Sequence, residues 1–234
     1  MAGDFAKYAR QSALPGFGPD GQARLAEAAV AVIGAGGVAS ATLPLLAGAG
    51  FGKISIADCD TVSASNLHRQ TLYLASETGL LKAELAKARL ALINPDTEVR
   101  AFAEKLTGEN AAEILAGASI CIDATDSFAS RRAVSAACRL AGVPEIMASA
   151  QGYEAQNAHF ANGTGFEEFA GSDEQPGDSE PRGVPIFGPA AHLSGVWAAA
   201  AAISFAASGS GFEPGMFQMQ NLATGRFFRA NFAS

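Results

Sequence analysis

Four apolar residues, Val30-Ala31-Val32-Ile33, run straight into Gly34-Ala35-Gly36-Gly37, and an alanine-rich apolar stretch follows from Val38 to Gly50. That order calls for a buried strand, a glycine turn and a helix packed closely on a sheet. Lys53-Ile54-Ser55-Ile56-Ala57-Asp58 reads as the next strand, so the segment makes a β-α-β unit. Glycines at such a turn let backbone N–H groups and the helix N-terminus approach a phosphate without interference from Cβ atoms. Ala39 takes the third glycine position of the usual pattern. Asp58 falls 24 residues after Gly34, where a carboxylate accepts hydrogen bonds from both hydroxyls of a ribose. This much specifies an adenine nucleotide and no more. The glycines could also serve only tight helix packing, and a nicotinamide-linked oxidoreductase shares the pattern.

The alternation continues along the chain. Residues 23 to 28 read as the end of a helix before the first strand. Lys82 to Leu92 is helical and ends before Asn94-Pro95, Glu98 to Ala103 alternates as a strand, and Asn110 to Leu115 is a further helix. Ser119 to Asp123 is a buried strand, Ser130 to Ala141 a helix and Glu145 to Ala150 a strand. The economical architecture is α/β, a Rossmann-like, doubly wound, mostly parallel sheet. Residues 162 to 185 break the rhythm: they hold several Gly and Pro, six acids and Arg182 as their one base, and read as a long surface loop. Ala190 to Ala207 is then a buried helix. Met216 to Met219 and Arg226 to Phe232 form a closing hairpin around Ala223-Thr224-Gly225, a C-terminal antiparallel extension. The expected organisation is one domain over 1–234. It has a helical arm (1–29), a nucleotide-binding core (30–160), the acidic loop (162–185) and the closing helix and strands (186–234).

A formal net charge of -7 gives no general attraction for nucleic acid or anionic lipid, so any phosphate must be held by a local cluster. Cys59, Cys121 and Cys138 form neither an even set nor a CxxC pair, which speaks against a disulfide framework or a zinc site and suits a reducing cytosol. The N-terminus lacks a basic-then-apolar signal pattern. The longest apolar run, Val196 to Ala207, is too short to cross a bilayer, so a cytoplasmic protein without membrane or nucleic-acid partners is expected.

Asp58-Cys59-Asp60-Thr61-Val62-Ser63-Ala64-Ser65-Asn66-Leu67-His68-Arg69-Gln70, followed by Gly79-Leu80-Leu81-Lys82, resembles the signature of the ThiF/MoeB/HesA adenylyltransferases, bacterial relatives of ubiquitin-activating enzymes. Every fixed position of D-x-D-x-V-x-x-S-N-L-x-R-Q is matched. Three further landmarks fall in the family's order: Tyr8-Ala9-Arg10-Gln11, Asp123-Ala124-Thr125-Asp126 and Thr224-Gly225-Arg226-Phe227. The resemblance covers nearly the whole chain. It implies a homodimeric, ATP- and Mg²⁺-dependent enzyme that converts the C-terminal carboxylate of a small ubiquitin-like sulfur carrier, ending in Gly-Gly, to an acyl adenylate with release of pyrophosphate. By the same resemblance the catalytic residues are Arg10, Asn66, Arg69, Lys82 and Asp126. Nucleotide would contact Gly34, Gly36, Gly37, Asp58, Asp60, Ser65, Asn66, Arg69, Gln70, Lys82, Asp126 and Ser127. Asp126 would be the Mg²⁺ ligand, and Arg10 would reach across a two-fold axis into the neighbouring subunit's site.

The chemistry agrees with that residue set. A carboxylate attacking the α-phosphate of ATP brings an anion toward a polyanion, and cations must offset the repulsion. Arg69 and Lys82 supply such charge, and Asn66 can orient a phosphate oxygen. Structural alternatives stand beside each role. Arg10 and Lys82 could be solvated charges, Arg69 could pair with Asp58 or Asp60, and Asp126 could cap the following helix. His68, His159 and His192 lack ligand-like spacing and suit structural roles.

The chain also departs from the family pattern. The two CxxC pairs that hold a structural zinc in most members are missing, so folding without zinc is expected. No cysteine lies beyond Cys138, which limits the expected chemistry to adenylation and leaves sulfur donation to another protein. Gly37-Val38-Ala39-Ser40 stands where Gly-Leu-Gly-Ser is usual, and Ser127 where Asn is common. The acidic crossover loop, with Glu167, Glu168, Asp173 and Glu174, is expected to meet a basic face of the carrier. Activation of a small-molecule, peptide or tRNA-linked carboxylate is the alternative within the fold. A catalytically weak module that binds a ubiquitin-like protein is the alternative outside enzymology.

Overall fold

Strands covered on both faces read as apolar runs, and β1 (Ala29–Ile33) and β4 (Ile120–Asp123) follow that rule, while β2 (Lys53–Ala57) alternates, with Lys53 exposed and Ser55 half-buried. In the computed structural model, which describes residues 6–171 and 185–232, Val30 to Ile33 and all of β4 are buried. The pleat sorts side chains by turns. Val30 and Val32 join a core with Leu43, Leu46, Ile54, Ile56 and Leu90, while Ala31 and Ile33 join a second core with Ile114, Cys121, Val134 and Cys138. Each fully buried Leu, Ile or Val contributes roughly 1.5–3 kcal/mol relative to exposure.

The eight-stranded sheet has the order β3-β2-β1-β4-β5-β6-β7-β8. Strands β3 (Glu98–Phe102), β2, β1, β4 and β5 (Glu145–Gln151) are parallel, and β6 (Glu154–Phe160), β7 (Met216–Asn221) and β8 (Phe227–Asn231) continue antiparallel. The first core lies beneath α3 (Gly37–Ala49), α4 (Lys82–Ile93) and α8 (Gly188–Ser208), and the second beneath α5 (Ala111–Ile114) and α6 (Phe128–Ala141). Short α1 (Ala9–Ser12) and α2 (Gly18–Glu27) precede β1, and α7 (Phe166–Ala170) follows β6.

The expected doubly wound sheet with an antiparallel extension is present, with three local differences. The strand β6 was not anticipated. Its buried positions include Asn157, beside Ser194, and His159, stacked on Phe212, so a strand covered by polar partners carries no apolar alternation. Within the span read as a loop, α7 forms because Phe166 and Phe169 pack on Phe160 and Phe217; residues 172–184, with Asp173 and Glu174, lie outside the described part. Finally, the helix read over 190–207 is present as Gly188–Ser208, and it is longer than the apolar run 196–207 within it that is too short to cross a bilayer. At 21 residues α8 is long enough to span a bilayer by length and composition, but half of it is buried, and it packs on α3, α2, β5 and β6 as a core helix. Gly195 permits that approach: a Cβ there would collide with the Val38 carbonyl of α3, and Thr42 Oγ1 donates to the Gly195 carbonyl at 3.1 Å.

Candidate nucleotide site

The chain reverses direction of winding between β1 and its two neighbours, β2 and β4, and ligands of open α/β sheets bind in the crevice outside the carboxyl ends of strands at such a point. Gly34 ends β1 there at φ +93 and donates its N–H to the Ala57 carbonyl at 2.8 Å. A Cβ on Gly34 would stand 2.7 Å from the Ala124 carbonyl oxygen, so the glycine turn and the turn after β4 lie against each other. Gly36 caps α3, leaving the first N–H groups of that helix directed at the crevice.

Asp58, at the end of β2, is tied to both sides of the turn. Its Oδ2 accepts from Ala35 N at 2.6 Å and its Oδ1 from Asp60 N at 2.7 Å. Each oxygen keeps a lone pair, which fits the two ribose hydroxyls. Burial pushes the Asp58 carboxyl above its ordinary value, and the Ala35 N–H, the Lys82 charge and the Asp60 N–H pull it back. Tyr73, which the sequence does not mark, holds the turn from below by donating to the Ala35 carbonyl at 2.7 Å.

Lys82 opens α4 with its side chain only 5% exposed, so it is no solvated charge. Its Nζ meets Asp60 Oδ2 at 3.0 Å, and Asp60 is 65% exposed. A buried ammonium with one solvent-facing partner is held near the crevice at the cost of desolvation, an arrangement that another anion would relieve. Asn66 and Ser65 sit on a 3₁₀ turn, Ala64–Asn66, whose Asn66 carbonyl accepts from Arg69 N and Gln70 N at 3.1 and 3.0 Å. Arg69 pairs with neither Asp58 nor Asp60. It donates to His68 Nε2 at 2.8 Å and weakly to the Ser65 carbonyl at 3.4 Å, and so keeps its charge unneutralised among the described residues. His192 of α8 donates from Nε2 to the Arg69 carbonyl at 2.9 Å and fixes that residue's backbone. Gln70 is buried beside Gly36, and its Oε1 has no partner among the described residues.

Asp126 is exposed on the turn after β4, with no hydrogen bond or ion pair for its carboxylate among the described residues. It does not cap α6. Ser127 does, accepting from Ser130 N at 3.1 Å and donating to Ser130 Oγ at 2.9 Å. A single free carboxylate suits Mg²⁺, which usually takes one or two protein carboxylates and completes its shell with water and phosphate oxygens. Among the described residues no three His, Cys, Asp or Glu cluster as a metal cage.

Nine of the proposed residues therefore converge: Gly34, Gly36, Gly37, Asp58, Asp60, Arg69, Gln70, Lys82 and Asp126, with Ser65, Asn66 and Ser127 on the flanking turns. Arg10 does not join them. Gln11 beside it donates to the Ala49 carbonyl at 2.9 Å, which places α1 at the C-terminal end of α3. The glycine turn is at the other end of that 13-residue helix, about 20 Å away at 1.5 Å per residue. Arg10 itself is exposed. A separate cavity of about 440 Å³ between α8 and β7, lined by Trp197, Phe212 and Arg229 among others, contains none of the expected site residues.

A dinucleotide-type crevice with an unneutralised Arg69, a Lys82 held by one solvent-facing carboxylate and an unpaired Asp126 carboxylate defines a nucleotide-binding α/β protein. The chain belongs to the ThiF family, whose model matches residues 8–232. It is similar to the sulfur carrier protein adenylyltransferase of Thermus thermophilus, at 41% identity over 68% of this chain and 58% of that protein. It is also similar to the sulfur carrier protein ThiS adenylyltransferase of Escherichia coli, at 39% identity over 65% of this chain and 61% of that protein. The matched stretch thus takes in about three fifths of these relatives. The fold is shared with E. coli MccB crystallised with MccA-N7isoASN, at TM-score 0.85 and 22% identity over 98% of this chain and 72% of that one.

Proposed function

We propose that this chain is an ATP-dependent adenylyltransferase. It activates the C-terminal carboxylate of a small ubiquitin-like sulfur carrier, ending in Gly-Gly, as an acyl adenylate and releases pyrophosphate. The observation that carries the reading is Arg69, an unneutralised cation facing the same crevice as the buried Lys82 and the glycine turn. The names of the sulfur-carrier adenylyltransferases at 39–41% identity support the substrate class.

In this reading the α3 N-terminus and the turn amides hold the phosphates, and Asp58 holds the ribose. Arg69 leaves His68 and Lys82 turns from Asp60 as the incoming carboxylate and the α-phosphate draw together, offsetting charge where it accumulates in the transition state. Asn66 from the flanking turn and Gln70 from the buried floor orient phosphate oxygens. Mg²⁺, held by Asp126, would neutralise the departing pyrophosphate. Arg10, about 20 Å from its own turn, acts on the partner's site, which makes a homodimer the catalytic unit. A cytoplasmic setting without membrane or nucleic-acid partners fits the negative charge and the buried face of α8. Of the four acids expected to meet a basic carrier face, Glu168 already pairs with Arg139 at 3.2 Å, which leaves Glu167 as the described candidate.

The test is Mg²⁺-dependent ATP–pyrophosphate exchange with and without Gly-Gly-ended carriers, for the native chain and Arg69→Ala. Exchange that requires the carrier and drops at least about 10²-fold in the variant is expected. Exchange with a small carboxylate or a peptide instead would replace the substrate class, and ATP binding with no exchange at all would make the chain a binding module.

A further inference from the structure

One half-buried cation plays no part in the scheme above. Arg131 of α6 has its Nε enclosed without a hydrogen-bond partner among the described residues, and the charges of Asp123, Asp126 and Glu145 act on it. Asp123 and Glu145 are 0% and 1% exposed, and each keeps one buried oxygen, Oδ2 and Oε1, without a partner among the described residues. Buried charge of this kind is seldom favourable to stability compared with apolar packing of the same volume, so the network calls for another reason. The Arg131 fork supplies one. Nη2 donates to Ser149 Oγ of β5 at 2.8 Å and to the Thr125 carbonyl at 3.1 Å. That carbonyl belongs to the peptide group whose nitrogen is Asp126's own.

The rest of the turn is clamped as well. Ala124 N donates to the Ile33 carbonyl at 2.8 Å, Thr125 N to Asp123 Oδ1 at 2.8 Å, and Arg131 N to the Ser127 carbonyl at 3.0 Å. The Asp126 side chain projects to solvent without a hydrogen bond among the described residues, while the unpartnered Thr125 Oγ1 is buried. We propose that Arg131 is a positioning residue for Asp126: by locking the Thr125–Asp126 peptide plane between β5 and α6, it sets where that carboxylate meets the divalent cation of a bound nucleotide. The inference rests on the reading of Asp126 as the Mg²⁺ ligand. Groups that orient a metal-binding residue typically change metal affinity 10- to 100-fold when they are lost.

The experiment is calorimetric binding of the non-hydrolysable α,β-methylene analogue of ATP, in Mg²⁺ and in EDTA. Its ratio of affinities isolates the metal's contribution without turnover. Arg131→Lys keeps the charge and loses the planar fork, and Ser149→Ala removes one anchor while leaving no buried charge unpaired, so the second variant answers should the first fail to fold. Both are expected to lower the Mg²⁺-dependent gain, by about 10-fold for Arg131→Lys, with affinity in EDTA unchanged. In an Asp126→Asn background neither should lower it further. An unchanged gain in both variants, or equal losses with and without Mg²⁺, overturns the positioning role while leaving the adenylyltransferase reading intact. If Asp126→Asn alone leaves the gain untouched, the Mg²⁺ assignment falls, and the role of Arg131 falls with it.

Discussion

Gly34 and Gly79 have nearly the same positive φ, +93 and +90, but very different surroundings. A Cβ on Gly79 meets nothing within 4 Å, whereas on Gly34 it stands 2.7 Å from the Ala124 oxygen and 2.9 Å from the Ala124 carbon, both backbone atoms that cannot swing aside. Gly79→Ala should therefore cost only the left-handed strain, roughly 1–2 kcal/mol. Gly34→Ala adds an overlap of about 1–3 kcal/mol, for a total near 2–5 kcal/mol. Against a typical domain stability of about 5–15 kcal/mol the variant still folds at room temperature. Urea unfolding at fixed protein concentration gives the two losses. Because relief of the overlap must push the Ala124 turn and with it Asp126, Gly34→Ala should also weaken Mg²⁺–ATP binding, while Gly79→Ala leaves it near native. Equal stability losses for the two variants would refute the steric argument, and native nucleotide affinity in Gly34→Ala would refute the coupling between the two turns.

Three other outcomes follow from the same geometry. Arg10→Ala and Arg69→Ala should each be nearly inactive alone, yet a mixture should regain about one quarter of native exchange activity, since half of the dimers are mixed and each holds one complete site; no recovery after subunit exchange would argue against action across the dimer. ATP affinity should fall with decreasing pH at values above the ordinary carboxylate range, because burial raises the Asp58 carboxyl and the ribose hydroxyls need its ionised form; Asp58→Asn should bind weakly with that dependence removed. His159 is lowered to about 4 by burial and by Arg229. The unfolded chain then binds the extra proton between about pH 4 and 6.5, stability contributed by this group rises with pH across that window, and His159→Phe should flatten the slope of unfolding free energy there.

Much of this is legible in the sequence alone. The apolar runs of β1 and β4 are buried on both faces and β2 alternates around Ile54 and Ile56, so hydrophobic pattern alone marks all three, and the glycine turn and Asp58 follow from the strand ends it locates. The long motif from Asp58 to Gln70 named the residues of the site because those residues are close in sequence and sit on one connected excursion from β2 to α4. What the sequence left open was every question of pairing. It offered Asp60 as a partner for Arg69, and the fold gave Asp60 to Lys82; it offered Asp126 as a helix cap, and the fold used Ser127.

The residues that no pattern marked are those whose contacts span the chain. Tyr73 supports Ala35, His192 fixes Arg69 and Arg131 holds the Thr125 carbonyl. Strand β6 belongs with them, since its buried Asn157 and His159 are paid for by partners on α8 and the following loop. Periodicity and local motifs record what a residue does with neighbours one turn or one strand away, and those the sequence determined by itself. Burial of a polar group is decided by partners distant along the chain, and which carboxylate meets which cation depends on distances of a few ångströms that only the packed sheet and helices establish.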